Sequence, residues 1–216
     1  MLFFLNFYFI YLAYNFSANE YSKFPFYFFI FISISCLAQE FPPIAKYESN
    51  VYGAGNQNWM ISQDTNQFLF FANNEGLLEF NGSAWTLYPS PNETIIRSVN
   101  CIDDKIYTGS YMDFGYWNRK KDGQLVYNSL CKELKVKLLY DEQFWNILPY
   151  DNWILFQSLQ RIYAYNIKTK QFSVIQPKEA IIRAFKTSKG IFYQTNEGLF
   201  EIEGGKSKVF LSDAII

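Results

Sequence analysis

Residues 59–88, WMISQDTNQFLFFANNEGLLEFNGSAWTLY, constrain this chain more than any other stretch, because they read as four short strands whose pattern returns further along. WMISQ runs into the turn Asp64-Thr65-Asn66, QFLFFA into Asn73-Asn74-Glu75-Gly76, LLEF into Asn81-Gly82, and WTLY closes the unit. Apolar, aromatic-rich runs bounded by Asn, Asp and Gly are strand and hairpin signals, and Asn-Gly is a strong one because both residues tolerate positive φ. The strand Phe68-Leu69-Phe70-Phe71-Ala72 does not alternate apolar with polar, so both faces of the sheet need cover. Each phenylalanine is worth about 1.5–3 kcal/mol when fully buried. A lone sheet cannot cover itself, whereas stacked copies can.

The copies can be counted. First strands of the proposed units fall at Trp59, Ile96, Trp145 and Ile182, at spacings of 37, 49 and 37 residues. Ile95-Ile96-Arg97 returns as Ile181-Ile182-Arg183, and NNEGLLEF at 73–80 returns as TNEGLFEI at 195–202. Four strands per unit with a period of roughly 40 residues is the signature of a β-propeller. The fold expected is all-β: about four four-stranded antiparallel blades, near 59–88, 96–130, 144–175 and 182–211, in an incomplete ring. The chain stops at Ile216, where a fifth first strand is due, so it reads as a fragment of a longer protein. Residues 131–143, CKELKVKLLYDEQ, add the extra length between blades two and three, and their pattern fits a short helix or an irregular strand. Ile44 to Tyr47 is a candidate strand for closing a sheet contributed by the other terminus.

The propeller reading covers residues 39–216, and residues 1–38 differ from it. Phe24 to Ala38, FPFYFFIFISISCLA, is uncharged, follows Lys23 and ends on small-x-small, which is the pattern of a secretory signal cleaved between Ala38 and Gln39. Residues 1–22 form a second apolar stretch with no basic residue before it, read as an over-extended start or an uncleaved membrane segment. The chain is therefore expected outside the cytoplasm, periplasmic or membrane-anchored, touching membrane only through this segment or through parts downstream of Ile216.

Composition then removes mechanisms. The chain has no histidine and a net charge of −1, which excludes a Ser-His-Asp triad, a Cys-His dyad and His-ligated zinc. It also lacks the basic balance that nucleic-acid binding by this segment needs. Cys101 and Cys131, placed in the innermost strand and just beyond the outermost strand of one blade, lie too far apart to bond and are expected as free thiols. Asp64, Glu75, Glu79, Asp103, Asp104, Asp113, Glu197 and Glu201 are the available acids, but Glu75 and Glu197 sit at equivalent turn positions, which points to a structural repeat. No catalytic residue, metal site or cofactor is assigned. Trp85, Tyr111, Trp117 and Trp153 are candidate stacking platforms for an unknown small molecule, glycan or protein ligand. The Arg119-Lys120-Lys121 cluster reads as a solvated hairpin tip.

Asp64, Phe68, the run Asn74-Glu75-Gly76-Leu77-Leu78-Glu79-Phe80 and Trp85 resemble the repeat of the two-component regulator propeller family, and Asn196 to Ile202 repeats the pattern. The chain departs from it at Thr65-Asn66, where the family has Asp-Gly, and in blades two and three, where Phe114-Gly115-Tyr116 and Arg161-Ile162-Tyr163 replace the Gly-Leu pair. The resemblance implies the exported sensor part of a Bacteroidetes-type membrane protein. In that family an immunoglobulin-like domain, a transmembrane helix and a LuxR-type helix-turn-helix or histidine kinase module follow. It implies a non-catalytic sensor of a signal-transducing transcription regulator; the alternative is a glycan-active propeller enzyme, a lyase or hydrolase.

Overall fold

The computed structural model describes residues 44–212, so the signal-peptide reading of residues 1–38 and its Ala38–Gln39 cleavage lie outside the described residues. A four-residue helix, α1 (Ser49–Tyr52), precedes the first sheet. Blade one comprises β1 (Asn58–Gln63), β2 (Leu69–Asn73), β3 (Gly76–Phe80) and β4 (Trp85–Pro89). Blade two comprises β5 (Ile96–Ile102), β6 (Lys105–Ser110), β7 (Phe114–Arg119) and β8 (Leu125–Ser129), followed by helix α2 (Leu130–Glu133). Blade three is β9 (Asn146–Tyr150), β10 (Trp153–Gln157), β11 (Ile162–Asn166) and β12 (Phe172–Ile175). Blade four is β13 (Arg183–Thr187), β14 (Gly190–Thr195), β15 (Gly198–Glu203) and β16 (Lys206–Ser212). Each is a four-stranded antiparallel meander in chain order.

The two-sided strands do what their composition requires. Phe70, Ala72 and Leu77 pack with Val99, Ile106 and Trp117 between blades one and two. Tyr107, Phe114, Phe144, Phe156 and Tyr163 fill the space between blades two and three. Leu155, Ile162 and Ala164 meet Ala184, Ile191 and Tyr193 between blades three and four. At both ends of this arc apolar side chains stay in solvent: Ile61 on blade one, and Ile182, Val209 and Phe210 on blade four. The arc is open.

Among the described residues the innermost strands β1, β5, β9 and β13 have no strand partner on one side, and their edge groups must find other partners. Polar side chains of the adjoining blade supply them. Ser62 accepts from the Cys101 N–H at 2.9 Å, Ser98 and Asn100 donate to the Phe144 and Ile147 carbonyls at 2.8 and 3.0 Å, and Asn146 donates to the Ala184 carbonyl at 3.1 Å.

The recurring Glu-Gly pairs have a geometric cause. Gly76 and Gly198 open their third strands at φ 147° and 133°, and a Cβ on either would overlap the facing strand's backbone, at the Tyr88 and Leu211 carbonyls. Three expectations need correction. No strand covers Ile44–Tyr47, and the Tyr47 ring packs instead on Phe80 and Trp85 of blade one. Asn81-Gly82 is part of a four-residue connection in which Asn81 accepts from the Ser83 and Ala84 N–H groups, not a two-residue hairpin turn. Arg119 is no solvated tip: it pairs with Glu79 across blades one and two at 2.9 Å.

Candidate functional site

Three of the innermost strands begin at one place. β1 and β5 each carry a bulge there, since pairing with β2 skips between Asn58 and Met60 and pairing with β6 skips between Ile96 and Ser98. The extra residues are Trp59 and Arg97. A bulge re-aims the side chain of its extra residue, and these two meet: the Arg97 guanidinium carbon lies 4.1 Å from the centre of the Trp59 ring. Trp145, just before β9, brings its ring within 4.7 Å of the same carbon, and the two indoles stand edge to face at 5.8 Å. Trp59 is fixed by an indole N–H bond of 2.8 Å to Asn74 Oδ1, yet stays 37% exposed.

The long segment between blades two and three reaches this point because of one carboxylate. Glu142 is 3% exposed and accepts from Tyr163 Oη at 2.6 Å, Ser158 Oγ at 2.7 Å and the Leu139 N–H at 2.9 Å. Its carbonyl accepts from the Met112 N–H at 2.8 Å, and the next residue, Gln143, pairs its backbone with Tyr111. Gln143 Oε1 thereby accepts from Arg97 Nε at 2.8 Å. Arg97 Nη1 is buried and bonds to nothing, and among the described residues no carboxylate lies within ion-pair distance of Arg97. Burial pulls its pKa down from the ordinary value.

The four aromatics singled out in the sequence are not brought together. Trp117, at 4% exposure, is core, its indole N–H bonded to Thr108 Oγ1 at 2.9 Å. Trp85 stacks on Phe80 at 4.4 Å between ring centres, with its Nε1 buried and unpartnered. Trp153 is half-buried at the β9–β10 turn, beside Gly205. Tyr111 alone adjoins the site, through its backbone. Of the carboxylates, Glu79 is committed to Arg119, Asp113 accepts from Ser129 Oγ at 2.7 Å, and Asp64 caps its own turn by accepting from the Asn66 and Phe68 N–H groups. Cys101 and Cys131 are both free thiols.

A cavity of about 520 Å³ lies at the opposite end of blades one and two, lined by the turns at Asp64–Asn66 and Asp103–Lys105 and by Asn118 and Arg119. Among the described residues no group of acids or cysteines is arranged to hold a metal ion. No helix among them is long and apolar enough to cross a membrane.

No family profile matches the sequence, and neither does any curated protein. Solved structures do match. The extracellular domain of the putative one-component system BT4673 from B. thetaiotaomicron aligns at 18% identity and a TM-score of 0.54, over 72% of this chain and 22% of that one. The same domain described as part of a putative hybrid two-component system gives 17% identity and a TM-score of 0.55 over 75% of this chain. The Neurospora crassa Pan2 WD40 domain aligns at 10% identity and a TM-score of 0.52 over 77% of this chain and 52% of that one. The chain is similar in fold to propellers, and spans 22% of the length of the BT4673 domain.

Proposed function

We propose that this chain is an exported, non-catalytic ligand-binding propeller segment of a signal-transducing regulator of transcription, with its blades outside the cytoplasm. The observation that carries the reading is the likeness to the BT4673 extracellular domain over 72% of the chain. Two features support it. The buried acids already serve as anchors or ion-pair partners, whereas the convergence of Trp59, Arg97 and Trp145 offers aromatic surface and an unmatched cation, which suit binding better than bond cleavage. A sensor needs a site whose occupancy biases packing between rigid parts, and this one joins side chains from three blades.

The test has two arms. Full-length chain expressed in a Gram-negative host is expected in the periplasmic or membrane fraction, shortened at its N-terminus if the signal is cleaved. Purified protein is then titrated against oligosaccharide and organic-acid panels by calorimetry, with product analysis on every binder. Binding without turnover supports the sensor; turnover of a glycan overturns it in favour of a lyase or hydrolase.

A further inference from the structure

We infer that the convergence of Trp59, Arg97, Gln143 and Trp145 is an oxyanion-binding site, and that the ligand it takes carries a carboxylate. This rests on reading the chain as a ligand-binding propeller and names the chemistry of the ligand. A guanidinium presents five N–H donors in a fixed fork. In Arg97 the Nε donor is used by Gln143, and the terminal nitrogens bond to nothing among the described residues. Two indoles hold the cation through their π faces, an attraction that positions charge but supplies no hydrogen-bond acceptor.

Arg119, which joins blades one and two, makes the contrast. Arg119, also half-buried, is matched to the Glu79 carboxylate at 2.9 Å. Arg97 is given a neutral amide, Gln143, where a carboxylate would have fitted. With Nε held by that amide and Nη1 sealed from solvent, Nη2 is the donor left within reach of an incoming carboxylate oxygen, to which a guanidinium N–H makes a charge-assisted bond. The exposed edge of Trp59 beside it gives a ring or alkyl body somewhere to pack. A half-buried cation with no counter-ion is costly to keep, and a ligand carboxylate removes that cost only when bound.

The experiment uses the full chain labelled with ¹⁵N, following the Arg97 Nε–H resonance and tryptophan fluorescence while D-glucuronate, neutral D-glucose and inorganic sulfate are titrated at constant ionic strength. Glucuronate is expected to saturate both signals, sulfate to bind more weakly and glucose to leave them unchanged. Arg97→Gln is expected to abolish the response. Gln143→Glu keeps the packing and places an internal carboxylate against the guanidinium. It is expected to weaken glucuronate at least about tenfold, the loss of one charge-assisted contact. No saturable anion response, or responses unchanged in both variants, overturns the site; tighter binding of sulfate than of glucuronate overturns the carboxylate assignment. An unrelated ligand that binds regardless of Arg97 sinks this inference and leaves the sensor standing. Arg97-dependent binding followed by turnover does the reverse.

Discussion

Removing the Glu142 carboxylate tests whether one buried acid fixes the insertion that completes the site. In Glu142→Ala the Tyr163 hydroxyl loses its acceptor in the interior and the Leu139 N–H loses one in a half-buried place, while Ser158 Oγ retains the Arg161 carbonyl at 3.3 Å. A buried donor left without a partner costs about 1–3 kcal/mol, which is the cost at the Tyr163 hydroxyl. With a urea m-value of about 2 kcal/mol per molar, the midpoint falls by roughly 0.5–1.5 M. The sharper expectation is a sign. In Glu142→Ala/Tyr163→Phe the orphaned hydroxyl is gone, so the double variant should be more stable than Glu142→Ala alone, although two native groups are missing. Equilibrium urea unfolding followed by far-UV circular dichroism measures all three. Hydrogen exchange at Gln143 and Phe144, whose N–H bonds to Ser110 at 3.3 Å, reports whether the segment has lifted. A double variant less stable than Glu142→Ala, or full protection at Phe144 in the single variant, refutes the assignment of Glu142 as the anchor.

Three further outcomes follow from the fold. Gly76→Ala combines a φ of 147° with overlap of the Tyr88 backbone, about 1–3 kcal/mol for each effect, whereas Gly82→Ala, at φ 92° with open space around it, costs about 1 kcal/mol; thermal melts that rank the two equally would remove the structural reason for the repeated glycine. Burial, offset in part by the hydrogen bond with Ser62, pushes the Cys101 thiol from 9.0 up to about 11. At pH 8 its thiolate fraction is then roughly a hundredfold below that of a free cysteine, and native protein should react slowly with a disulfide reagent and fast once unfolded. Because the folded value is the higher one, the linked stability is whole below about pH 9 and declines as pH rises toward 11, so urea midpoints should fall over that window and fall less in Cys101→Ala.

Strands, turns and inter-blade cores were legible because each is written locally. Non-alternating runs such as Phe68–Ala72 demand two-sided cover, and Asp64 and Asn81 build their turns from their own side chains. The contacts that were missed join residues far apart in the chain. Arg119 looked like a charged tip because Glu79 lies 40 positions away in another blade, and Glu142 looked like one acid in a polar insertion because Tyr163 and Ser158 follow it by 21 and 16 positions. Arg97 had a signal that went unused. It was read as half of a repeat marker with Arg183, yet an arginine at the start of an innermost strand, with tryptophans starting the strands before and after, is odd company. The bulges hid the correspondence: sequence offsets matched Trp59 to Ile96, whereas the pairing makes Trp59 and Arg97 equivalent, each the extra residue of its own strand.

That one-residue shift bears on where specificity can arise in a repeat fold. Positions needed by every blade recur, as the glycines opening β3 and β15 do, and whatever recurs cannot distinguish one ligand from another. The position at the start of the innermost strands varies from blade to blade: Trp59, Arg97, Trp145 and Ile182 occupy it in turn. Arg97 puts a cation there, against the rings of Trp59 and Trp145. Burial acts against its charge, and no acid among the described residues compensates it. Arg119, which joins blades one and two, is matched to a carboxylate, and Arg97 to an amide. The departure from the repeat, the unbalanced charge and the anchored insertion therefore coincide at a single place, where a bound anion would meet all three.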